Sequence, residues 1–431
     1  MRSTFFDTSL AGLATLLALG CCAGSAHAAT TGVYYDGQSN VVAGPNPFNN
    51  AVPLPNTFGN VGVGHTMFPN VTTGSYNVAA GTETLASNTT GSFNIAHGWF
   101  TMYANVSGAR NVATGYSALG NNTSGNDNVA TGGAALSANT TGSESVATGA
   151  YALMNNTSGA QNTATGFEAL TDNVGGSYNT ATGYKALSSN TSGSANTALG
   201  IAALLANTTG ASNLAAGNSA LGFNTTGNTN TALGDTAMRK NTAGTSNVAV
   251  GAGASYENTT GGRNIASGVN ALRANKTGGD NVAVGYQALR LSTAGAENLA
   301  LGTNALYNGT GSRNIVIGRN AGFNLTSGSD NVDIANAGVA ADSGVTRIGT
   351  VGKQTRAFLA GVHGVTIPGP TRTVVVNASG QLGTAPSAPF AGLRAGASDD
   401  GLRDLVRRQE AELERLRRDL DRLRDEVRKR G

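Results

Sequence analysis

The feature that most constrains this chain is a period of 17 residues repeated along most of its length. Asn247-Val248-Ala249-Val250-Gly251 reappears, stepped back 17 residues at a time, as Asn230-Thr231-Ala232-Leu233-Gly234, as Asn213-Leu214-Ala215-Ala216-Gly217, and finally as Asn60-Val61-Gly62-Val63-Gly64. Forward steps reach Asn298-Leu299-Ala300-Leu301-Gly302. One step of 16 leads to Asn314-Ile315-Val316-Ile317-Gly318, and one of 17 to Asn331. Seventeen copies thus lie between Asn60 and residue 341. A unit this short cannot bury a core alone, so it has to stack on its neighbours.

The unit reads N-x-A-x-G-x-x-A-L-x-x-N-T-T/S-G-x-x, and its columns have physical readings. N-x-A-x-G alternates with the period of a strand. Its central Ala holds in fourteen copies, Ala79 to Ala300, as expected of a side chain in a narrow interior. The flanking Val, Ile, Leu and Thr favour strands and point the other way. A second apolar column runs through Leu119, Leu136, Leu153, Leu170, Leu187 and Leu204, with Met102 and Met238 as variants. Asn-Thr-Thr-Gly, as at Asn207–Gly210, is turn chemistry. The leading Asn, present in sixteen copies and replaced by Ser145 in one, can bond from rung to rung. N-x-T/S also recurs as a glycosylation sequon, but a turn that needs Asn and Thr generates sequons by accident.

The predicted fold is therefore all-β: a parallel β-roll or β-solenoid of about seventeen 17-residue rungs. At ~4.8 Å per rung it spans about 80 Å. The Val/Ile/Thr face exceeds what so thin a solenoid hides alone. Identical chains around a threefold axis would cover it.

Composition agrees with stacking. Gly contributes 62 of 431 residues, Trp one, and charged residues 12%. Of the 51 charged residues, 21 lie between Asp399 and Arg430, so the net charge of +3 says little about the repeats. Without a basic stripe along them, no nucleic-acid partner is expected.

Chemistry is sparse. Beyond the leader the histidines are His65, His97 and His363, not spaced as metal ligands, so neither metal nor cofactor is expected. Gly142-Ser143-Glu144-Ser145 sits inside a repeat without nucleophile-elbow context. The glycine strings lack the Lys-Ser/Thr of a phosphate loop. No catalytic residue is assigned, and the chain is read as a non-enzyme. One rung is irregular: Trp99, Phe100 and Tyr103 gather three aromatics. They are a candidate binding patch, although a packed irregularity near the N-terminal cap is the favoured reading.

The ends differ from the repeats. Arg2, the apolar run Leu10–Leu19 and Ala26-His27-Ala28 form a secretory signal over residues 1–28, cleaved between Ala28 and Ala29. Lipidation at Cys21 is the rival. Both cysteines, Cys21 and Cys22, fall inside this leader, so the mature chain has none. No later apolar run is long enough to span a membrane. Residues 29–59 read as an N-terminal cap region, 60–341 as the solenoid, 342–384 as a β collar, and 385–400 as an Ala/Pro/Ser/Gly linker. Residues 401–431 carry heptads, with Val406, Leu413, Leu420 and Val427 at a and Leu402, Gln409, Leu416 and Leu423 at d. In parallel strands Glu412 faces Arg417 and Asp419 faces Arg424, favouring a coiled coil.

Asn247–Gly251 and Asn281–Gly285 resemble the head repeats of trimeric autotransporter adhesins, although the period is longer. The Asn-Thr-Thr-Gly and Ala-Leu features are closer to fibre proteins whose solenoid precedes an endosialidase-type intramolecular chaperone. Thr346–Gly349, Thr355–Gly361 and Val374–Gly383 resemble the collar before that chaperone. The resemblance implies a parallel β-roll, a homotrimer and a Gram-negative host. The residues after Thr384, Ala-Pro-Ser-Ala-Pro-Phe, do not resemble the self-cleaving chaperone, so neither that domain nor a barrel anchor is expected. The expected function is a secreted or cell-surface adhesin-like fibre head, with the periplasm as another location, whose ligand is a surface glycan or protein. The alternatives are a phage-derived tail-fibre-like glycan reader and an ice- or mineral-binding solenoid. The last would need a flat Thr-x-Thr array, but Thr-Ala-Thr occurs only at Thr163/Thr165 and Thr180/Thr182.

Overall fold

The computed structural model describes residues 33–44, 56–359, 373–384 and 399–430. The signal segment with Cys21, Ala28 and Ala29, the linker up to residue 398, His363 and the end of the Thr355–Gly361 stretch lie outside the described residues. So do the side chains of Leu402 and Val427. The chain forms two units, residues 1–350 and 351–431.

The first unit is a parallel β-solenoid. A twenty-stranded sheet starts with β1 (Val33–Tyr35) and β2 (Val41–Ala43), continues with β3 (Val61–Val63) through β19 (Val332–Ile334), and ends at β20 (Thr346–Ile348). β1 is antiparallel to β2 and closes the N-terminal edge. From β2 onward neighbours run parallel, as in β9 (Thr163–Thr165), β10 (Thr180–Thr182) and β11 (Thr197–Leu199). Seventeen of these strands, β3–β19, are the predicted repeats. Two rungs are additional. Asn40 precedes β2, and its Oδ1 accepts from the backbone and side-chain nitrogens of Asn60 at 2.8 and 3.0 Å. β20 pairs with β19, so the segment read as a collar begins by extending the solenoid.

The interior is thin because its columns are small. Ala181 is paired with Ala164 and Ala198 and is fully buried. A second buried Ala column, exemplified by Ala186, precedes the buried Leu column of Leu187. Overpacking such a site costs about 1–3 kcal/mol. Ala181→Leu should therefore lower the melting temperature clearly, while Thr182→Val on the exposed side of the same strand should leave it nearly unchanged. Equal melting temperatures for the two variants would reverse the assignment of faces.

The turn after each strand holds side chains in an unusual backbone. Lys185 and Leu187 both have left-handed φ of 54°. That conformation costs an L-residue about 1–2 kcal/mol. At Leu187 full burial of the side chain and a bond from its N–H to Ala203 O, 2.9 Å, offset it. From Gly64 to Gly302 the glycine ending each strand is required on two grounds. Gly183 has φ of 133°, and a Cβ there would stand 2.6 Å from the Gly200 carbonyl oxygen.

Two asparagine ladders run through the interior, the first from Asn40 to Asn331 with Ser145 in one rung and the second from Asn88 to Asn275. In the first, Asn77 Nδ2 donates to Asn60 Oδ1 (3.0 Å) and Gly91 O (2.9 Å), while Asn77 N also donates to Asn60 Oδ1 (3.0 Å). In the second, Asn105 Nδ2 donates to Asn88 Oδ1 (2.8 Å) and Gly108 O (3.0 Å). One carbonyl ties the ladders together: Gly91 O also accepts from Asn88 Nδ2 at 3.0 Å. The second ladder is built from the turn asparagines of the Asn-Thr-Thr/Ser-Gly motif. Asn88, Asn122, Asn139, Asn156, Asn190 and Asn207 are sequon asparagines, yet all are fully buried. Their amides are already donated inside the fold, which agrees with the structural reading of the sequons.

The ladder of small interior side chains ends at Asp333 in β19, where earlier rungs have Ala. It is buried, and its Oδ2 has no hydrogen-bond partner. Burial, reinforced by Asp342, pushes its carboxyl up to about 6, against the pull of Arg347. Asp342 is held low by its bidentate pair with Arg347, at 2.6 and 3.1 Å. A carboxyl raised on folding contributes stability below its unfolded value of 3.8, and this is lost as pH rises through about 6. Asp333→Asn should remove that loss. Hydrogen exchange in β19 and β20 should slow in the variant at pH 7.5 and match the parent at pH 4.5. Equal exchange at both pH values would contradict this.

In the second unit, β21 (Val374–Val376) and β22 (Leu382–Thr384) form an antiparallel hairpin. Asn377 Oδ1 closes it by accepting from the N–H groups of Ser379 and Gln381, each at 3.0 Å. Helix α1 spans Asp399–Arg430. Acidic residues at its start and Arg428, Lys429 and Arg430 at its end suit the helix dipole.

Candidate interaction surfaces

With Asn, Ala and Leu filling the interior, what the solenoid can do lies on its outside. Counting the leading Asn as position 1, positions 2 and 4 of each strand flank the buried Ala and face outward. Along this face the chemistry changes. Position 4 is Thr in five successive rungs, Thr114, Thr131, Thr148, Thr165 and Thr182. Further on it turns aliphatic, and Val248, Val250, Ile265, Val284, Ile315 and Ile317 are exposed. Contiguous apolar surface of this kind marks an interface.

The aromatic patch is a real cluster, and it is not packed away. Trp99 stacks on Phe100 with ring centroids 5.1 Å apart and meets Tyr116 edge-on at 5.8 Å. Phe100 meets Tyr103 at 5.6 Å. Trp99 is 55% and Tyr103 41% exposed, and Phe100 is half-buried. The favoured expectation of a packed irregularity does not describe the Trp99 ring, which lies on the surface. Tyr116, one rung on, belongs with the three residues singled out in the sequence.

A column invisible in the repeat consensus runs along position 10. Arg239, Tyr256, Arg273, Arg290 and Tyr307 occupy it in five successive rungs. Backbone bonds hold the register: Glu257 N donates to Arg273 O (2.9 Å), Ala274 N to Arg290 O (3.0 Å) and Leu291 N to Tyr307 O (3.0 Å). The planar groups pile up. Arg239 lies 4.9 Å from the Phe223 ring centre, Arg273 5.2 Å from Tyr256, and Arg290 5.5 Å from Tyr307. Arg239 also donates to the Tyr256 hydroxyl at 3.1 Å, and Arg290 to that of Tyr307. Tyr307 stacks on Phe323 at 5.4 Å.

These arginines differ from those at position 17. There Arg110, Arg263 and Arg313 each make a bidentate pair with the aspartate one rung on, Asp127, Asp280 and Asp330, with Nε–Oδ1 distances of 2.6 Å. The guanidinium in each case lowers the carboxyl below its usual range. Among the described residues, Arg239, Arg273 and Arg290 have no carboxylate in salt-bridge range. Outside the column, at position 11, Lys240 is neutralised by Glu257 at 2.9 Å.

His65 bonds Thr66 at 2.8 Å and His97 is exposed at the end of its strand, so the two remain apart. Among the described residues no three His, Cys, Asp or Glu side chains gather as a metal site, and no helix is long and apolar enough to cross a membrane.

On α1 the described heptad side chains Val406, Gln409, Leu413, Leu416, Leu420 and Leu423 are all exposed. Leu413 is 57% and Leu423 60% accessible. Within the chain Arg408 pairs with Asp404 at 3.2 Å, whereas Arg415–Glu412 and Arg424–Asp421 are loose at 3.9 Å. No family model matches this chain, and no curated protein or solved structure is similar to it.

Proposed function

We propose that this protein is a non-enzymatic, exported attachment module: an adhesin-like fibre head that assembles as a homotrimer and is displayed at the cell surface. The observation that carries the assembly is the stripe of a and d side chains on α1, exposed along the helix in the single chain. Burying such a stripe against identical helices is what a coiled coil does. Leu413 and Leu420 at a weaken the dimer preference that Val at a would give. The aliphatic end of the sheet face, from Val248 to Ile317, is a second surface that identical chains would cover. The likeness of the repeats to trimeric adhesin heads favours three chains, and the absence of a clustered catalytic set on the rungs favours binding over chemistry.

Light scattering on the full exported chain should return three chain masses. A single chain mass at micromolar concentration would refute the assembly. Mass spectrometry of the same material should find Ala29 as the free N-terminus. A diacylated Cys21 would instead place the protein on a lipid anchor.

A further inference from the structure

We infer that the Arg273–Arg290 step of the position-10 column, flanked by Tyr256 and Tyr307, is a binding site for a linear acidic polysaccharide. The inference names a ligand class for the attachment reading and rests on that reading only for its biological meaning.

Three observations converge. First, Arg273 and Arg290 stand one rung apart in the same column, and among the described residues neither has a carboxylate in salt-bridge range. Like charges that close repel, more so where water is partly excluded. Elsewhere on the same solenoid the chain places an aspartate one rung from its arginine, as at Arg263–Asp280. At Arg273 and Arg290 no such partner is supplied, so the place of the counter-charge is open. Second, Arg290 Nε is buried and has no hydrogen-bond partner, although its other nitrogen reaches Tyr307. The buried Nε and the Tyr307 bond fix the guanidinium plane, and a planar, half-buried guanidinium whose Nη2 has no partner among the described residues is suited to capture of a carboxylate or sulfate oxygen. Third, stacking on Tyr256 and Tyr307 holds the two guanidinium planes in the column.

The geometry selects among polyanions. The column is one side chain wide and advances ~4.8 Å per rung. That advance is close to the length of one sugar unit in an extended chain, so successive uronate or sulfated sugars running along the solenoid would meet successive rungs. Duplex DNA carries a charge every ~1.7 Å of axis and needs a broad basic surface. The repeats as a whole lack one. A flat anionic membrane would likewise need a wide basic face.

The test uses the full exported chain on surfaces carrying heparin, polygalacturonate or neutral dextran. The parent should bind both acidic polymers and not dextran. Arg273→Gln/Arg290→Gln should weaken binding at least about tenfold. Arg110→Gln/Arg263→Gln, which removes the same charge from the paired column, should bind like the parent. Should the first variant misfold, the parent itself is decisive: oligogalacturonate should protect Arg273 and Arg290, but not Arg319, from an arginine-selective dicarbonyl reagent. The inference fails if neither acidic polymer binds, if the control variant loses as much, or if protection is absent. It fails too if single-stranded DNA or anionic vesicles compete as strongly as the polysaccharide. A trimer that binds neither polymer sinks this site and leaves the attachment reading intact. A monomer that binds through Arg273 and Arg290 does the reverse for the assembly.

Discussion

Asn190→Leu should be among the most damaging single substitutions in the solenoid, costing about 2–5 kcal/mol. Leucine keeps the count and branching of the side-chain heavy atoms but is bulkier, so overpacking adds to the loss of hydrogen bonds. Asn190 Nδ2 donates to Asn173 Oδ1 at 2.7 Å and to Gly193 O at 2.9 Å, and its own Oδ1 accepts from Asn207 Nδ2 at 2.8 Å. Leucine leaves Gly193 O with its other donor, Asn179 Nδ2 at 2.9 Å. Asn173 Oδ1 and one hydrogen of Asn207 are orphaned in a fully buried column. Each orphan forfeits its solvation without compensation, which is the costly direction of the exchange. Asn190→Ser should be milder, because the first ladder already accommodates Ser145, whose Oγ accepts from Asn162 N at 3.2 Å. Thermal melts with circular dichroism would check both. Equal, small losses for Leu and Ser would mean that the ladders are spectators of packing.

The second large effect concerns assembly. Deleting everything after Ala397 removes α1 and should convert the proposed trimer into monomers or aggregates of mixed register. From Ala79 to Ala300 each strand pairs with its neighbour in the same Ala-on-Ala register, as at Ala164, Ala181 and Ala198. Two chains shifted by one 17-residue unit therefore present nearly the same face to each other. Such degenerate surfaces specify register weakly. An element outside the repeat has to align the chains, and the heptads of α1 are suited to it. Gln409, a polar residue at a d position, would fix the axial register at some cost in stability. Size-exclusion chromatography with light scattering reads the result. A truncated chain that still refolds to a uniform trimer would give α1 another purpose.

The sequence made the rungs legible because their chemistry is periodic. The Ala column, the Leu column and the first Asn ladder each demand one residue type every 17 positions, and the structure places all three inside. The second ladder was hidden behind a correct but incomplete reading. Asn-Thr-Thr-Gly is a turn, and nothing in the motif announces that its Asn points inward. The rung at Asn40 escaped because 20 residues separate it from Asn60, and that at Thr346 because Val345 stands where Asn should. Leu187 at a left-handed φ was not foreseeable from propensity, which disfavours it there. The position-10 column escaped for the opposite reason. It varies from rung to rung, from Gly120 to Ser137 to Arg273, so it vanishes from the consensus. Residues that hold a repeat together are periodic, whereas those free to acquire a binding role need not be.

The central claim is a parallel, in-register assembly of identical chains, and cysteine cross-linking tests it most directly. The mature chain has no cysteine of its own if the leader is removed before Ala29, so introduced thiols report without background. Leu413→Cys and Leu420→Cys chains, distinguishable by mass, would be refolded together and oxidised. Disulfides are predicted only between like positions, Cys at 413 with 413 and at 420 with 420, within particles of three chain masses by native mass spectrometry. Disulfides chiefly between unlike positions, or none at all with a single chain mass, would contradict the account.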